Sequence, residues 1–219
     1  MRPGPVDFRL YLVTDRMRLP DTRNPQGATR GLLSAVGKAL SGGVRAVQLR
    51  EKDLATRDLL KLAYRMRSLT EKYGARLFIN GRFDVALAVR ADGVHLTQQS
   101  IPVRAVRNAV GGQLLIGVST HSLKEAREAE NGGADFITLG PVYRTPSKLK
   151  YGPPAGLDTL KRVCSAVGIP VFAIGGVRGR RIREVRAAGA YGVAMISGIL
   201  GAADIRRKAE ELTLLTEKS

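Results

Sequence analysis

The chain has 219 residues, of which 44% are hydrophobic and 25% charged. That balance is ordinary for a globular protein and excludes global disorder, and no apolar stretch approaches the roughly 20 residues that a membrane helix needs. With 36 Lys and Arg against 19 Asp and Glu, the net charge of +17 favours anionic partners, either nucleic acid or small phosphates.

The first expected strand is Arg9–Asp15. The segment before and through it, MRPGPVDFRLYLVTD, has no apolar run long enough for a signal peptide. Further strands are expected at Val44–Glu51, Arg76–Asn80, Gly93–Thr97, Leu114–Thr120, Phe136–Val142, Val171–Val177 and Gly192–Leu200. A helical pattern follows each one. Regular strand–helix alternation means parallel pairing with right-handed crossovers. Eight such units predict an α/β fold, a (β/α)8 TIM barrel, with residues 1–219 forming a single domain. Turns at Ser41-Gly42-Gly43, Gly111-Gly112, Gly132-Gly133 and Ala188-Gly189 fall where helices end. Ser122-Leu123-Lys124-Glu125 has capping-box spacing, and Pro102 suits a helix start. Arg178, Arg180, Arg181, Arg183 and Arg186 read as one solvated helix.

Arg16–Ala28 and Tyr143–Gly156 lack periodicity and follow strands one and six. Both lie at the C-terminal ends of strands, the face that carries active sites in this fold. Tyr143–Gly156 is read as a lid. Aromatics are 5% of the chain, there is no Trp, and none interleave with basic residues, so a stacking face for nucleic acid is poorly supported. A small phosphorylated ligand is expected instead. The single Cys, Cys164, cannot form an internal disulfide, and a reducing cytoplasm is the expected location.

Strand ends supply the candidate site. Alternation puts Gln48, Arg50 and Lys52 together, two cations and an amide suited to a phosphate. Asn80 ends strand three. Ser119 and His121 share a face of strand five, and an imidazole there can take and return a proton. His95, between Val94 and Leu96, is read as a barrel-interior residue with satisfied nitrogens. Strand seven ends in Ile174-Gly175-Gly176-Val177 and strand eight contains Ile196-Ser197-Gly198, where glycines let backbone amides approach a ligand. One Cys, two separated His and no carboxylate pair at ligand spacing give no metal site.

Six segments, in order, resemble the thiamine phosphate synthase superfamily. They are Gln48-Leu49-Arg50-Glu51-Lys52, Gly93-Val94-His95-Leu96, Gly117-Val118-Ser119-Thr120-His121, Gly140-Pro141-Val142-Tyr143-Arg144-Thr145-Pro146-Ser147-Lys148, Ile174-Gly175-Gly176 and Ile196-Ser197-Gly198. The synthase joins a pyrimidine diphosphate to a thiazole phosphate. The resemblance implies that Gln48, Arg50 and Lys52 meet the diphosphate, and that Ser119, Thr145, Ser147 and Lys148 also bind ligand. It further implies Mg²⁺ held by two aspartates. Gly81 stands at one of those positions, and Thr97-Gln98-Gln99 leads to Ser100 at the other. Without a metal clamp a diphosphate leaving group is not stabilised.

Ile79-Asn80-Gly81-Arg82 through Ala86-Leu87, Thr120-His121-Ser122-Leu123 and Met195-Ile196-Ser197-Gly198 resemble the thiazole tautomerase branch. Its members aromatise a carboxylated thiazole phosphate without a metal or other cofactor. That resemblance implies His121 as the catalytic proton carrier. Gly175, Gly176, Ser197 and Gly198 would hold the phosphate, and Arg50 or Lys52 would pair with the carboxylate. The alternatives are a thiamine phosphate synthase with altered metal ligands and a non-catalytic thiamine-pathway binding protein. The oligomeric state is left open, a homodimer included.

Overall fold

The computed structural model describes residues 5–19, 25–145 and 153–217. Eight parallel strands close a barrel in chain order, and the last pairs with the first. They are β1 (Leu10–Val13), β2 (Ala46–Leu49), β3 (Arg76–Asn80), β4 (Gly93–Leu96), β5 (Leu115–Thr120), β6 (Phe136–Leu139), β7 (Val171–Ile174) and β8 (Gly192–Met195). The helices are α1 (Pro25–Ser41), α2 (Thr56–Lys72), α3 (Phe83–Ala88), α4 (Val103–Val110), α5 (Leu123–Asn131), α6 (Gly156–Ala166), α7 (Ile182–Ala187), α8 (Ser197–Leu200) and α9 (Ile205–Glu217). No helix among the described residues is long and apolar enough to cross a membrane.

All eight expected strands form, but most are shorter than the apolar runs that announce them. The largest correction is at strand eight. Its apolar run reaches Leu200, whereas the strand ends at Met195 and Ser197–Leu200 turns into a helix. Apolarity there comes from Ile199 and Leu200, which are buried but helical. The basic run is also corrected. Gly179–Arg181 is a 3-10 turn, α7 begins at Ile182, and Arg178 lies ahead of both. The stretch 16–28 holds a 3-10 turn at Arg16–Arg18 and the start of α1 at Pro25. Ser122 caps α5 as expected, accepting a hydrogen bond from the Glu125 amide at 3.2 Å.

Alternation divides the strand residues between two apolar layers. Val47, Leu49, Ile79, Val94 and Ile116 join the layer under the helices, with Leu59, Leu62, Ala63 and Met66 of α2 facing them. Tyr11, Phe78, Phe136 and Phe172 fill the barrel interior. Each phenylalanine sits opposite a glycine on the next strand or the one before: Phe78 opposite Gly93, Phe136 opposite Gly117, Phe172 opposite Gly192. A Cβ on those glycines would lie only 2.5, 2.3 and 2.7 Å from the respective rings. The glycines make room for the rings, and at Gly93 and Gly192 also for the Leu115 and Arg9 carbonyls, which a Cβ would meet at 2.5 and 2.3 Å.

The N-terminal end of the barrel is closed. Phe8 stacks beneath the interior rings, its centroid 5.2 Å from that of Phe172 and 5.5 Å from that of Tyr11. Near it Arg67 and Arg107 are paired with carboxylates. Arg67 binds Asp92 at 2.6 Å and Arg107 binds Asp135 at 2.5 Å. Asp92 and Asp135 also accept the Leu77 and Ile116 amides, at 2.8 and 2.6 Å.

Candidate active site at the barrel mouth

The opposite end is open. A cavity of about 1360 Å³ occupies it, and its lining includes Gln48, Arg50, Lys52, Asn80, Ser119 and His121. Thr145, Gly175, Gly176, Ser197 and Gly198 line it too. The structure therefore brings these sequence-selected residues to one place. Ser147 and Lys148 lie outside the described residues, as does much of the segment read as a lid.

The cavity floor is a chain of hydrogen bonds through the barrel interior. Gln48 Nε2 donates to Tyr11 Oη at 3.2 Å, and Tyr11 Oη lies 3.4 Å from His95 Nδ1. His95 Nε2 is 3.0 Å from Ser119 Oγ. Both His95 nitrogens are engaged, as expected for an interior histidine. Burial, reinforced by the Arg50 charge, pushes the His95 imidazole down to about 3, so it is neutral at working pH.

The end of β2 is tied down. The Arg50 amide donates to Thr14 Oγ1 at 2.9 Å, and that hydroxyl donates to Glu51 Oε1 at 2.6 Å. Arg16, itself buried, reaches Glu51 at 3.0 Å and Asp53 at 2.5 Å. Burial raises the Glu51 carboxyl above its ordinary value, against the pull of Thr14 and Arg16. This network fixes the backbone that carries half-buried Arg50 and exposed Lys52.

His121 follows β5 directly. Its backbone amide donates to Glu125 Oε2 at 2.7 Å, which links it to the cap of α5. Its Nδ1 bonds the Gly140 carbonyl at the end of β6. A carbonyl only accepts, so Nδ1 carries the hydrogen and Nε2 keeps its lone pair. His121 is held in one tautomer, and its Nε2 has no hydrogen-bond partner among the described residues.

At β7 and β8 the chain turns sharply. Gly175 and Gly176 have φ of +89° and +68°, a conformation that favours glycine. Ser197 and Gly198 open the short helix α8. Among the described residues, the amides of Gly176, Val177, Ser197 and Gly198 donate to no protein acceptor. Four backbone donors at one cavity suit a phosphate.

Charge at the mouth is one-sided. Among the described residues, the lining holds eight Lys and Arg side chains and one carboxylate, Glu125. Arg178, Arg180 and Arg181, read from sequence as a solvated helix face, are among the eight. The signal was available: they directly follow the glycine pair that ends β7.

The metal implied by the family does not fit these residues. Gly81 has no side chain, and a Cβ there would lie 3.6 Å from Ser100 Oγ, so the two expected aspartate positions are neighbours in space. Ser100 Oγ is already used, accepting from the Thr97 amide at 2.9 Å. The described residues hold no cluster of three or more His, Cys, Asp or Glu that could grip a cation. Neutral oxygens under a ring of positive charge are a poor site for Mg²⁺.

A family model described as thiamine monophosphate synthase matches residues 10–199. A protein of Geobacter sulfurreducens named "Putative thiamine-phosphate synthase" is 52% identical, covering 96% of this chain and 95% of its own. The thiamine-phosphate synthase of Clostridium acetobutylicum is 40% identical over 98% of this chain and 97% of its own. Among solved structures, thiamine phosphate pyrophosphorylase from Pyrococcus furiosus superposes with a TM-score of 0.84 at 38% identity, covering 96% of both chains. The chain belongs to the thiamine monophosphate synthase family.

Proposed function

We propose that this chain is a metal-independent isomerase of thiamine biosynthesis, aromatising a carboxylated thiazole phosphate. The observation that carries the reading is the pair Gly81 and Ser100, adjacent in space and without a carboxylate between them, beneath a mouth lined among the described residues by eight cations. Such a mouth suits a substrate with a phosphate and a carboxylate, and with Glu125 the one carboxylate among its described lining residues it suits a divalent cation poorly.

The chemistry asks for one proton carrier. The C–H bond at ring carbon two breaks onto His121 Nε2, and its electron pair moves through the ring. The exocyclic double bond enters the ring as its outer carbon takes a proton back from the imidazolium. No atom is gained or lost. The bond from Nδ1 to the Gly140 carbonyl holds the tautomer this needs and steadies the charged ring between the two transfers. The amides at Gly176, Val177, Ser197 and Gly198 take the phosphate. Arg50 or Lys52 faces the carboxylate, while Gln48, Asn80, Ser119 and Thr145 line the ring pocket.

The test is direct. The non-aromatic carboxythiazole phosphate is mixed with the protein and the ultraviolet change of aromatisation is followed. His121→Ala should slow turnover by about 100-fold or more, in the range of general acid–base catalysis. EDTA should leave the rate unchanged. Full turnover in the variant removes His121 from the mechanism, and a large loss with EDTA removes the metal-free reading.

The names of the relatives favour a second reading, thiamine-phosphate synthase, over an isomerase. Under it the same thiazole phosphate is a co-substrate, and a pyrimidine diphosphate meets Gln48, Arg50 and Lys52. Mg²⁺-dependent condensation of the two, with no aromatisation activity, would establish that reading and retire the first.

A further inference from the structure

We propose that Arg181 is a positioning residue that aims the backbone donors of the β7 turn, through its grip on the Gly176 carbonyl and its seat on Tyr143. The proposal rests on the reading of that turn as a phosphate cradle, and it holds under either chemistry above.

Both carbonyls of the glycine pair are held from outside the turn. The Tyr143 amide donates to Gly175 O at 3.0 Å, and Arg181 Nη1 donates to Gly176 O at 2.9 Å. In a trans peptide the C=O and the following N–H point in opposite directions. Fixing these two oxygens therefore turns the Gly176 and Val177 amides away from Tyr143 and Arg181. These are amides with no protein acceptor among the described residues.

Arg181 is itself locked. Its guanidinium carbon stands 4.1 Å from the centroid of the Tyr143 ring, within cation–π range. The Tyr143 hydroxyl donates to Glu184 Oε2 at 2.8 Å, so the ring is fastened to α7. Burial and that bond push the Tyr143 phenol up to about 12, so it remains a donor at working pH. A Cβ on Gly176 would lie 2.7 Å from Tyr143 Cβ, which places the ring's own backbone hard against the turn. The turn, the ring and the guanidinium thus form one clamp. Arg180, one residue away, also lines the cavity but makes none of these bonds.

The alternative for a cavity arginine is plain charge, and neutral substitutions separate the two. Binding of inorganic phosphate to the full chain is measured by calorimetry, with thermal melting to confirm folding. Arg181→Lys keeps the charge but loses the planar fork, and Tyr143→Leu loses the ring without changing any charge. Each should weaken phosphate by about tenfold, the scale of a lost charge-assisted bond. Tyr143→Phe keeps the ring and should stay within about threefold. In turnover, Arg181→Lys should raise KM and leave kcat near its normal value, because the proton carrier is untouched. Phosphate binding unchanged in both Arg181→Lys and Tyr143→Leu overturns the proposal. So does an equal loss in Arg180→Gln and Arg181→Gln with Arg181→Lys intact, which assigns the effect to charge. If the unaltered chain binds no phosphate, the cradle reading fails first and the clamp has nothing to aim.

Discussion

The two ends of the barrel use the same residue types in opposite ways. At the closed end, Arg67 and Arg107 are spent on Asp92 and Asp135, which also hold amides of the neighbouring strands. At the open end, Arg50, Arg144, Arg178 and Arg180 make no ion pair with a described carboxylate. Glycines differ in the same sense. Those inside the barrel accommodate a ring, whereas Gly175 and Gly176 bend backbone toward a cavity. The closed end ties Arg67 and Arg107 to the strands, whereas the open end, beside its fixed Arg16–Glu51–Asp53 network, also presents cations without a carboxylate partner among the described residues. Under the proposed function, stability and ligand capture belong to different faces, and substitutions should separate them.

The sharpest break comes from the interior. Gly117→Val puts side-chain atoms into the Phe136 ring, which a Cβ alone would approach to 2.3 Å. Overpacking of this kind should cost about 3 kcal/mol or more in chemical denaturation, with part of it recovered by adding Phe136→Leu. Next is Asp135→Ala, which leaves the Ile116 amide and Arg107 without their shared partner. A loss of about 1–3 kcal/mol is expected, and anion binding at the mouth should not change.

A pH-dependent effect separates the floor from both ends. His95 is neutral in the fold, with its imidazole pushed down to about 3, and titrates normally when unfolded. Protonation therefore favours the unfolded chain. This contribution to stability is complete above about pH 6.5, the unfolded value, and is lost as the pH falls toward 3. Between pH 6.5 and 5, before most carboxylates titrate, the melting temperature should fall, and His95→Gln should flatten that slope. A pH-independent melting curve in the parent chain would remove His95 from the account. The smallest effect is at the rim. Arg178→Gln should alter stability by less than about 0.5 kcal/mol. It should weaken phosphate about threefold at low salt, and the difference should vanish near 1 M salt, where screening reaches about 3 Å. A destabilised Arg178→Gln would mean that the two faces are not separate after all.

How far these features were legible follows from the physics of each. Strand order and barrel closure were readable because alternating strands and helices leave few parallel topologies. The cap at Ser122 was readable because it is local in sequence. Strand ends were not, because Ile199 and Leu200 are as buried in a helix as they would be in a strand. The basic run was misread for a similar reason. Charge spacing looks helical whether or not a 3-10 turn first delivers Arg178 and Arg180 to a cavity. Candidate residues at strand ends were legible because the fold puts every such end on one face. The role of Tyr143 was hidden, since its seat under Arg181 joins residues 38 positions apart in sequence and leaves no local trace.

The facing glycines and phenylalanines carry a consequence for descent. Phe78 with Gly93, Phe136 with Gly117 and Phe172 with Gly192 each occupy one volume shared by two strands. Gly93 and Gly192 are held also by the Leu115 and Arg9 carbonyls, which no ring substitution moves. At Gly117 a lineage cannot enlarge the glycine first, because the Phe136 ring blocks it. It must shrink the ring first and pass through a state with a void, at a cost of several kcal/mol for a buried phenylalanine. Order of mutation is thus imposed by geometry. Phe136 and Gly117 should therefore change as a pair, and a chimaera that takes one of their two strands from a relative should import the other with it.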